Sequence, residues 1–183
     1  MTRAAVLLAA LGLLVVACSG PDPADGEPTP DPTPSPTTTT PPEPVMPAAA
    51  QEQTAEGAAA FVKYWYRLQA HAATTGDTSG LTRASLKNCD PCSLLVDRLN
   101  EIYAAGGYYE SFPWRPQIVG AKPERKYFVV LTEVSTDSYK FRESSSEPVI
   151  TVKPKTRHHL FRLRFGTNGW RMLLIANQTR PSA

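Results

Sequence analysis

Chemistry in this chain starts with cysteine. Cys89 and Cys92 stand three apart in Cys-Asp-Pro-Cys, where a turn entering a helix brings two Cα atoms within the separation a disulfide needs. In an oxidising compartment the pair reads as a local staple tying one helix to the next. The loop closed is tiny, so its chain-entropy gain falls below the roughly 3 kcal/mol of a 15-residue loop. A second chemistry open to the pair is thiol–disulfide exchange, because a thiolate near a helix amino terminus is stabilised by the helix dipole. Thioredoxin-like enzymes place the motif after an apolar strand, whereas the residues from Leu81 to Asn88 read here as helix. The third is metal binding, with Cys89, Cys92, His158 and His159 as a conceivable four-ligand set. Adjacent histidines on a strand point to opposite faces, which argues against that set. No metal and no cofactor is expected.

Other polar residues are less organised. Tyr64, His71, Asp97, Glu101 and Tyr103 are the helical side chains that could serve a pocket, with His71 expected to face solvent, and one of His158 and His159 expected to be exposed and the other half-buried. None sits in a nucleophile elbow, a phosphate loop or a paired-carboxylate signature, so no catalytic residue is assigned and binding is favoured over catalysis. Arg162 and Arg164 alternate on one strand face, with Lys153, Lys155, Arg157 and Arg171 expected nearby. Such a stripe can engage phosphate or carboxylate; it is also what the solvated face of a sheet looks like.

These residues need elements to position them. Ala58, Phe61, Trp65, Leu68 and Ala72 recur at spacings of 3 and 4, which predicts a helix over Thr54–Thr74 with Thr54 as its cap. Gly76-Asp77-Thr78 reads as a turn and Leu81–Leu86 as a short second helix. Asp90 at the cap and Pro91 at the first helical position open a third helix, with Leu95, Leu99 and Ile102 inward, and Gly106-Gly107 ends it. The period then changes to two. Strands are predicted around Ile118-Val119, over Tyr127–Tyr139, at Glu147–Lys153 as an edge because of Pro148, and in a hairpin running from His158 to Phe165 and back from Trp170 to Ala176. Helices first and antiparallel strands second give an α+β domain, three helices packed on a curved antiparallel sheet.

The ends bound the location. Arg3, the apolar stretch Ala4–Val16 and the small Ala17 have the three parts of an export signal over residues 1–17. That stretch is short for a helix crossing the hydrocarbon core, which takes about 20 residues. Val15-Val16-Ala17-Cys18 resembles the lipobox of bacterial lipoproteins. The resemblance implies that the chain is cut before Cys18, that the Cys18 thiol carries a diacylglycerol, and that palmitate-type acyl chains hold the protein to a membrane, at about 0.8 kcal/mol per buried CH₂. Residues 18–48 form a Pro/Thr-rich, disordered tether with eleven prolines, five acids and no Lys or Arg. As polyproline II it reaches on the order of 90 Å. Its composition also suits O-glycosylation.

Residues 49–183 have the size of one domain. Of 19 basic and 17 acidic residues, Arg3 and the five tether acids lie outside this segment, which leaves 18 and 12 and a net charge of +6. In an envelope protein the matching partners are a protein, lipid headgroups or an anionic wall polymer, not nucleic acid.

The order of three helices and four to five strands, the aromatic run Phe61-Val62-Lys63-Tyr64-Trp65 and the final hairpin resemble the nuclear-transport-factor-like, ketosteroid-isomerase-like cone. Together, the lipobox, the tether, Gly57-Ala58-Ala59-Ala60-Phe61, Gly76-Asp77-Thr78 and Cys89-Asp90-Pro91-Cys92 are similar to an uncharacterised family of actinobacterial lipoproteins. That likeness implies a location, the extracytoplasmic face of the cell membrane, and a fold, without an activity. The expected function is non-catalytic binding on a lipid tether. A small-ligand or enzymatic pocket of the ketosteroid-isomerase-like type is the alternative, and a thiol–disulfide protein using Cys89 and Cys92 the second.

Overall fold

In a computed structural model, residues 40–178 of the chain are described. Helix α1 runs Ala55–Thr75. Thr54 caps it as its composition predicts, the hydroxyl accepting from the Gly57 N–H at 3.0 Å. Gly76 ends it with φ +79°, in the left-handed region that a side chain would disfavour. The buried face holds the expected Ala58, Phe61, Trp65, Leu68 and Ala72, but it is wider than that stripe and also takes in Val62, Tyr66, Gln69 and Ala73. Elements on both sides of the helix cause the widening: sheet on one flank, and on the other the segment before it, where Met46 packs on the core and Arg67 donates to the Val45 carbonyl at 3.2 Å.

Helix α2 is Ser79–Ala84 and α3 is Asp90–Ala104. The cap of α3 differs by one residue from expectation. Cys89 occupies it, because its carbonyl is the first acceptor, taking the N–H groups of Cys92 and Ser93 at 3.0 Å each. Asp90 and Pro91 then fall in the first turn, where an acid and a missing N–H are both tolerated. Leu99 and Ile102 are buried, Leu95 is half-buried, and the neighbouring Leu94 faces outward at 68 % exposure.

The strands form two antiparallel sheets, not one. Strands β2 (Trp114–Glu124), β3 (Tyr127–Thr136), β6 (Lys155–Gly166) and β7 (Gly169–Gln178) make a four-stranded sheet in the order β2-β3-β6-β7. Strands β1 (Gly106–Tyr109), β4 (Tyr139–Ser144) and β5 (Ile150–Val152) make the other, ordered β1-β4-β5. The long strand expected to end at Tyr139 breaks at Asp137-Ser138, and Tyr139 begins β4 in the second sheet. Strand β1 is too short and glycine-rich to show a period. The β5 edge position matches the proline before it, and Pro116 and Pro123 in β2 are tolerated for the same reason, since β2 is also an edge.

Helices α1 and α3 cover the inner face of the four-stranded sheet. Val130, Thr132, Val134, His159, Phe161, Leu163, Trp170 and Met172 point into that core. The carboxyl end of α2 is fastened to β7, the Leu86 N–H donating to the Met172 carbonyl at 2.8 Å. No helix among the described residues is long and apolar enough to cross a membrane.

Candidate functional site

A cleft of about 220 Å³ opens between α1, α3 and the four-stranded sheet. Trp65, Tyr66 and Gln69 come from consecutive turns of α1, Pro91 and Leu95 from α3, and Trp114 from the start of β2. Arg157, His159 and Phe161 alternate inward along β6, with Ile175 and Asn177 beside them on β7. The walls are mostly aromatic. Trp114 stacks on His159 with centroids 5.9 Å apart, and the Arg157 guanidinium lies 5.5 Å above the Trp114 ring.

One polar network is complete. The Tyr66 hydroxyl lies 2.6 Å from His159 Nδ1 and 3.2 Å from Thr132 Oγ1, and register places Thr132 directly opposite His159 across β3 and β6. The arrangement that satisfies all three has Tyr66 donating to Nδ1 and accepting from Thr132. Burial is the main cause that holds the His159 imidazole below its ordinary 6.5, with the Arg157 charge adding to it and a polar contact to Asn177 opposing it. Burial likewise drives the Tyr66 phenol well above its ordinary 10.0, the Thr132 bond working weakly against it. Both groups are therefore neutral near neutral pH.

A second set is incomplete. Among the described residues six buried side-chain atoms lack a hydrogen-bond partner, and four of them, Trp65 Nε1, Gln69 Oε1, Trp114 Nε1 and Arg157 Nε, belong to residues of this cleft. A buried polar group left unpaired costs about 1–3 kcal/mol, and none of these four atoms is open to a water-sized probe. Trp65 and Gln69 are 2 % and 7 % exposed, too little for bulk water to serve them.

The residues singled out from sequence are distributed differently. Cys18 lies outside the described residues. Cys89 and Cys92 form a disulfide with Cα atoms 5.3 Å apart, both sulfurs buried where α2 meets α3. His159 is buried more deeply than expected, while His158 points to the opposite face, 3.8 Å from Glu133. The His71 side chain is only 8 % exposed, not solvent-facing, and lies 3.9 Å from Asp77 at the helix end. None of Tyr64, His71, Asp97, Glu101 and Tyr103 lines the cleft. Tyr64 faces the Glu43 and Arg83 side, and the Tyr103 hydroxyl donates to the Ala73 carbonyl at 2.7 Å.

Arg162 and Arg164 are exposed on the outer face of β6, with Arg171 opposite Arg164 on β7. Arg157, expected near that stripe, instead alternates with His159 and belongs to the cleft, because it lies an odd number of positions along the strand from both arginines. Sequence reasoning passes over Tyr66, Gln69 and Trp114. The signal for Gln69 is its place four residues after Trp65 and three after Tyr66, which makes it a helix-surface neighbour of both.

A family of unknown function, DUF6318, matches residues 33–175. The chain belongs to that family. The matched span contains every cleft residue but Asn177. No curated protein matches the chain. Among solved structures, the intermembrane space region of the chloroplast protein ARC6 is similar, at 12 % identity and a TM-score of 0.53, over 70 % of this chain and 98 % of that one. At that identity the likeness is one of fold. DUF6318 membership thus leaves the cleft as the part of the molecule that speaks to function.

Proposed function

We propose that this protein is a lipid-anchored extracytoplasmic lipoprotein whose domain binds a small ligand in the cleft between α1 and the four-stranded sheet, without converting it. The observation that carries the binding half is the cleft itself, walled by Trp65, Trp114 and Phe161, with Arg157 and Asn177 in its lining and no carboxylate there. Binding is favoured over turnover because no carboxylate lines the cleft and its one imidazole is buried, neutral and already bonded to Tyr66. The anchoring half rests on the lipobox-like Val15-Val16-Ala17-Cys18 and the Pro/Thr tether that follows it.

Native mass spectrometry of the chain extracted from its own membrane tests both halves. The expected spectrum shows a diacylglyceryl mass on an amino-terminal Cys18 and a non-covalent small molecule that Gln69→Leu combined with Trp114→Phe abolishes. An unlipidated chain contradicts the anchor. A ligand-free chain whose cleft variants change nothing contradicts the binding.

The outer sheet face supports a second contact. Arg162 and Arg164 make no ion pair among the described residues, which leaves them available to an anionic wall polymer or an acidic envelope protein. Arg162→Glu with Arg164→Glu is expected to abolish retention on purified wall material; unchanged retention, or none by the native protein, contradicts this contact.

A further inference from the structure

Strand register sorts the charge on the outer face of the four-stranded sheet. Lys122, Val129 and Arg162 form one row across three strands, and Arg164 and Arg171 pair in the next row, towards the β2–β3 and β6–β7 turns. The first of those turns adds Arg125 and Lys126. Lys122, Arg125, Lys126, Arg162 and Arg164 are exposed and make no ion pair among the described residues. Arg171 is half-buried and turned back onto the carbonyls of Asn168 and Trp170. Glu124 is the one acid on these two hairpin ends, residues 122–128 and 162–171. Glu52 borders them, its carbonyl accepting from Trp170. The other end of the sheet is mixed, with Asp137 holding Arg115 and Glu133 facing His158 beside Lys155.

Arg125 also has a backbone that its residue type does not favour. Its φ is +53°, and Glu124 pairs with Tyr127, so Arg125 and Lys126 are the whole turn. Positive φ in a two-residue hairpin turn ordinarily goes to Gly, Asn or Asp. An arginine there costs free energy, and no ion pair among the described residues offsets it. What it supplies and glycine lacks is a cation at the tip.

The kind of partner follows from what else the tips carry. The large exposed apolar side chains, Val45, Leu94, Val119, Leu131, Val149 and Ile150, all lie elsewhere, so contact is by charge and stays at headgroup level. The chain enters the domain beside α2, where Glu43 pairs with Arg83, and α2 is fastened at Leu86 to Met172, in the hairpin half of β7. A tether keeps that bilayer at a high effective concentration, which a free polymer has to match.

From these features we propose that the hairpin end of the main sheet rests on an anionic lipid surface, the bilayer entered by the lipid on Cys18, through Lys122, Arg125, Lys126, Arg162 and Arg164. This contact goes beyond the outer-face one, shares Arg162 and Arg164 with it, and rests on the anchor reading.

The test reconstitutes the lipidated mature chain in phosphatidylcholine vesicles with and without phosphatidylglycerol. Lysines are acetylated by a water-soluble reagent and read by mass spectrometry. Lys155, which pairs with Thr136 at the far end of the sheet, is the internal reference. On anionic vesicles Lys122 and Lys126 are expected to react at least about fivefold more slowly than on neutral ones, the effect of one cation near such a surface, with Lys155 unchanged. High salt is expected to remove the difference. Arg125→Gly is expected to raise the urea midpoint, by relieving the turn, and yet to weaken the protection of Lys122 and Lys126.

Equal reactivity of the tip lysines on both vesicles would overturn the contact and leave the anchor standing. A chain without lipid, floating with neither vesicle, would overturn the anchor reading and this contact with it. Purified anionic wall polymer that protects the tip lysines on neutral vesicles as well as phosphatidylglycerol does would overturn the lipid surface in favour of the polymer. Arg125→Gly with undiminished protection would overturn the part given to Arg125.

Discussion

Tyr66 on α1 and His159 on β6 are joined by a hydrogen bond of 2.6 Å although 93 residues separate them along the chain. The bond fastens the first helix to the third strand of the main sheet, and it does so at the edge of the aromatic cleft. It also fixes the His159 ring, on which Trp114 stacks. Tyr66→Phe is therefore expected to leave His159 Nδ1 and the Thr132 hydroxyl short of a buried partner, lowering stability by about 1–3 kcal/mol in urea denaturation. A change under about 0.5 kcal/mol, typical of a surface site, would show that the bond fastens nothing.

The depressed His159 gives a pH dependence with a definite sign. The unfolded imidazole titrates near its ordinary 6.5 and the folded one below that, so between the two values the unfolded chain holds more protons. Stability is full above pH 6.5 and declines as pH falls towards the folded value, by at most about 1.4 kcal/mol per pH unit. Arg157, His158 and Tyr66 are the titratable groups around the ring. His159→Gln should flatten denaturation midpoints between about pH 6.5 and 5, above the range where ordinary carboxylates titrate. The same slope in that variant would assign it to another group.

Gly57 offers a test in which the usual sign reverses. Glycine to alanine in a helix ordinarily stabilises by about 1 kcal/mol. Here an added Cβ would lie 1.9 Å from the Glu52 carbonyl oxygen, the same oxygen that accepts from Trp170. Gly57→Ala is expected to destabilise by about 1–3 kcal/mol and to shift the Trp170 indole resonance. Stabilisation would mean that the Glu52 turn does not pack on α1.

The disulfide should matter modestly. A loop as short as Cys89–Cys92 is worth about 2 kcal/mol by the chain-entropy relation, and the bond ties the α2–α3 junction, with Pro91 alone of its loop bordering the cleft. Reduction, or Cys89→Ser with Cys92→Ser, is expected to lower the urea midpoint while leaving the Trp65 and Trp114 resonances in place. Loss of the cleft signals with the bond would show that the two sites are coupled.

Much of this architecture is legible in sequence where the signal is local. The period of α1, the Thr54 cap, the Gly76 stop and the β6–β7 hairpin all follow from residues within a few positions of one another. The second sheet does not, because β1 has only four residues beginning Gly106-Gly107 and β4 continues the alternation of β3 after a two-residue break. The cleft is less legible still. His159 reads as inward-facing from its alternation with Phe161 and Leu163, but between it and its partners Tyr66 and Trp114 the chain also builds β4 and β5 of another sheet. Trp114 sits between Pro113 and Pro116, where no period is visible. Proximity in sequence groups Arg157 with the outer arginines, whereas strand alternation counted from His159 puts it inside.

A crystal structure of the protein purified from its own membrane tests the binding claim most directly. The account predicts a molecule other than solvent in the cleft, against Trp65, Trp114 and Phe161 and facing Arg157. A cleft that holds only solvent would contradict it.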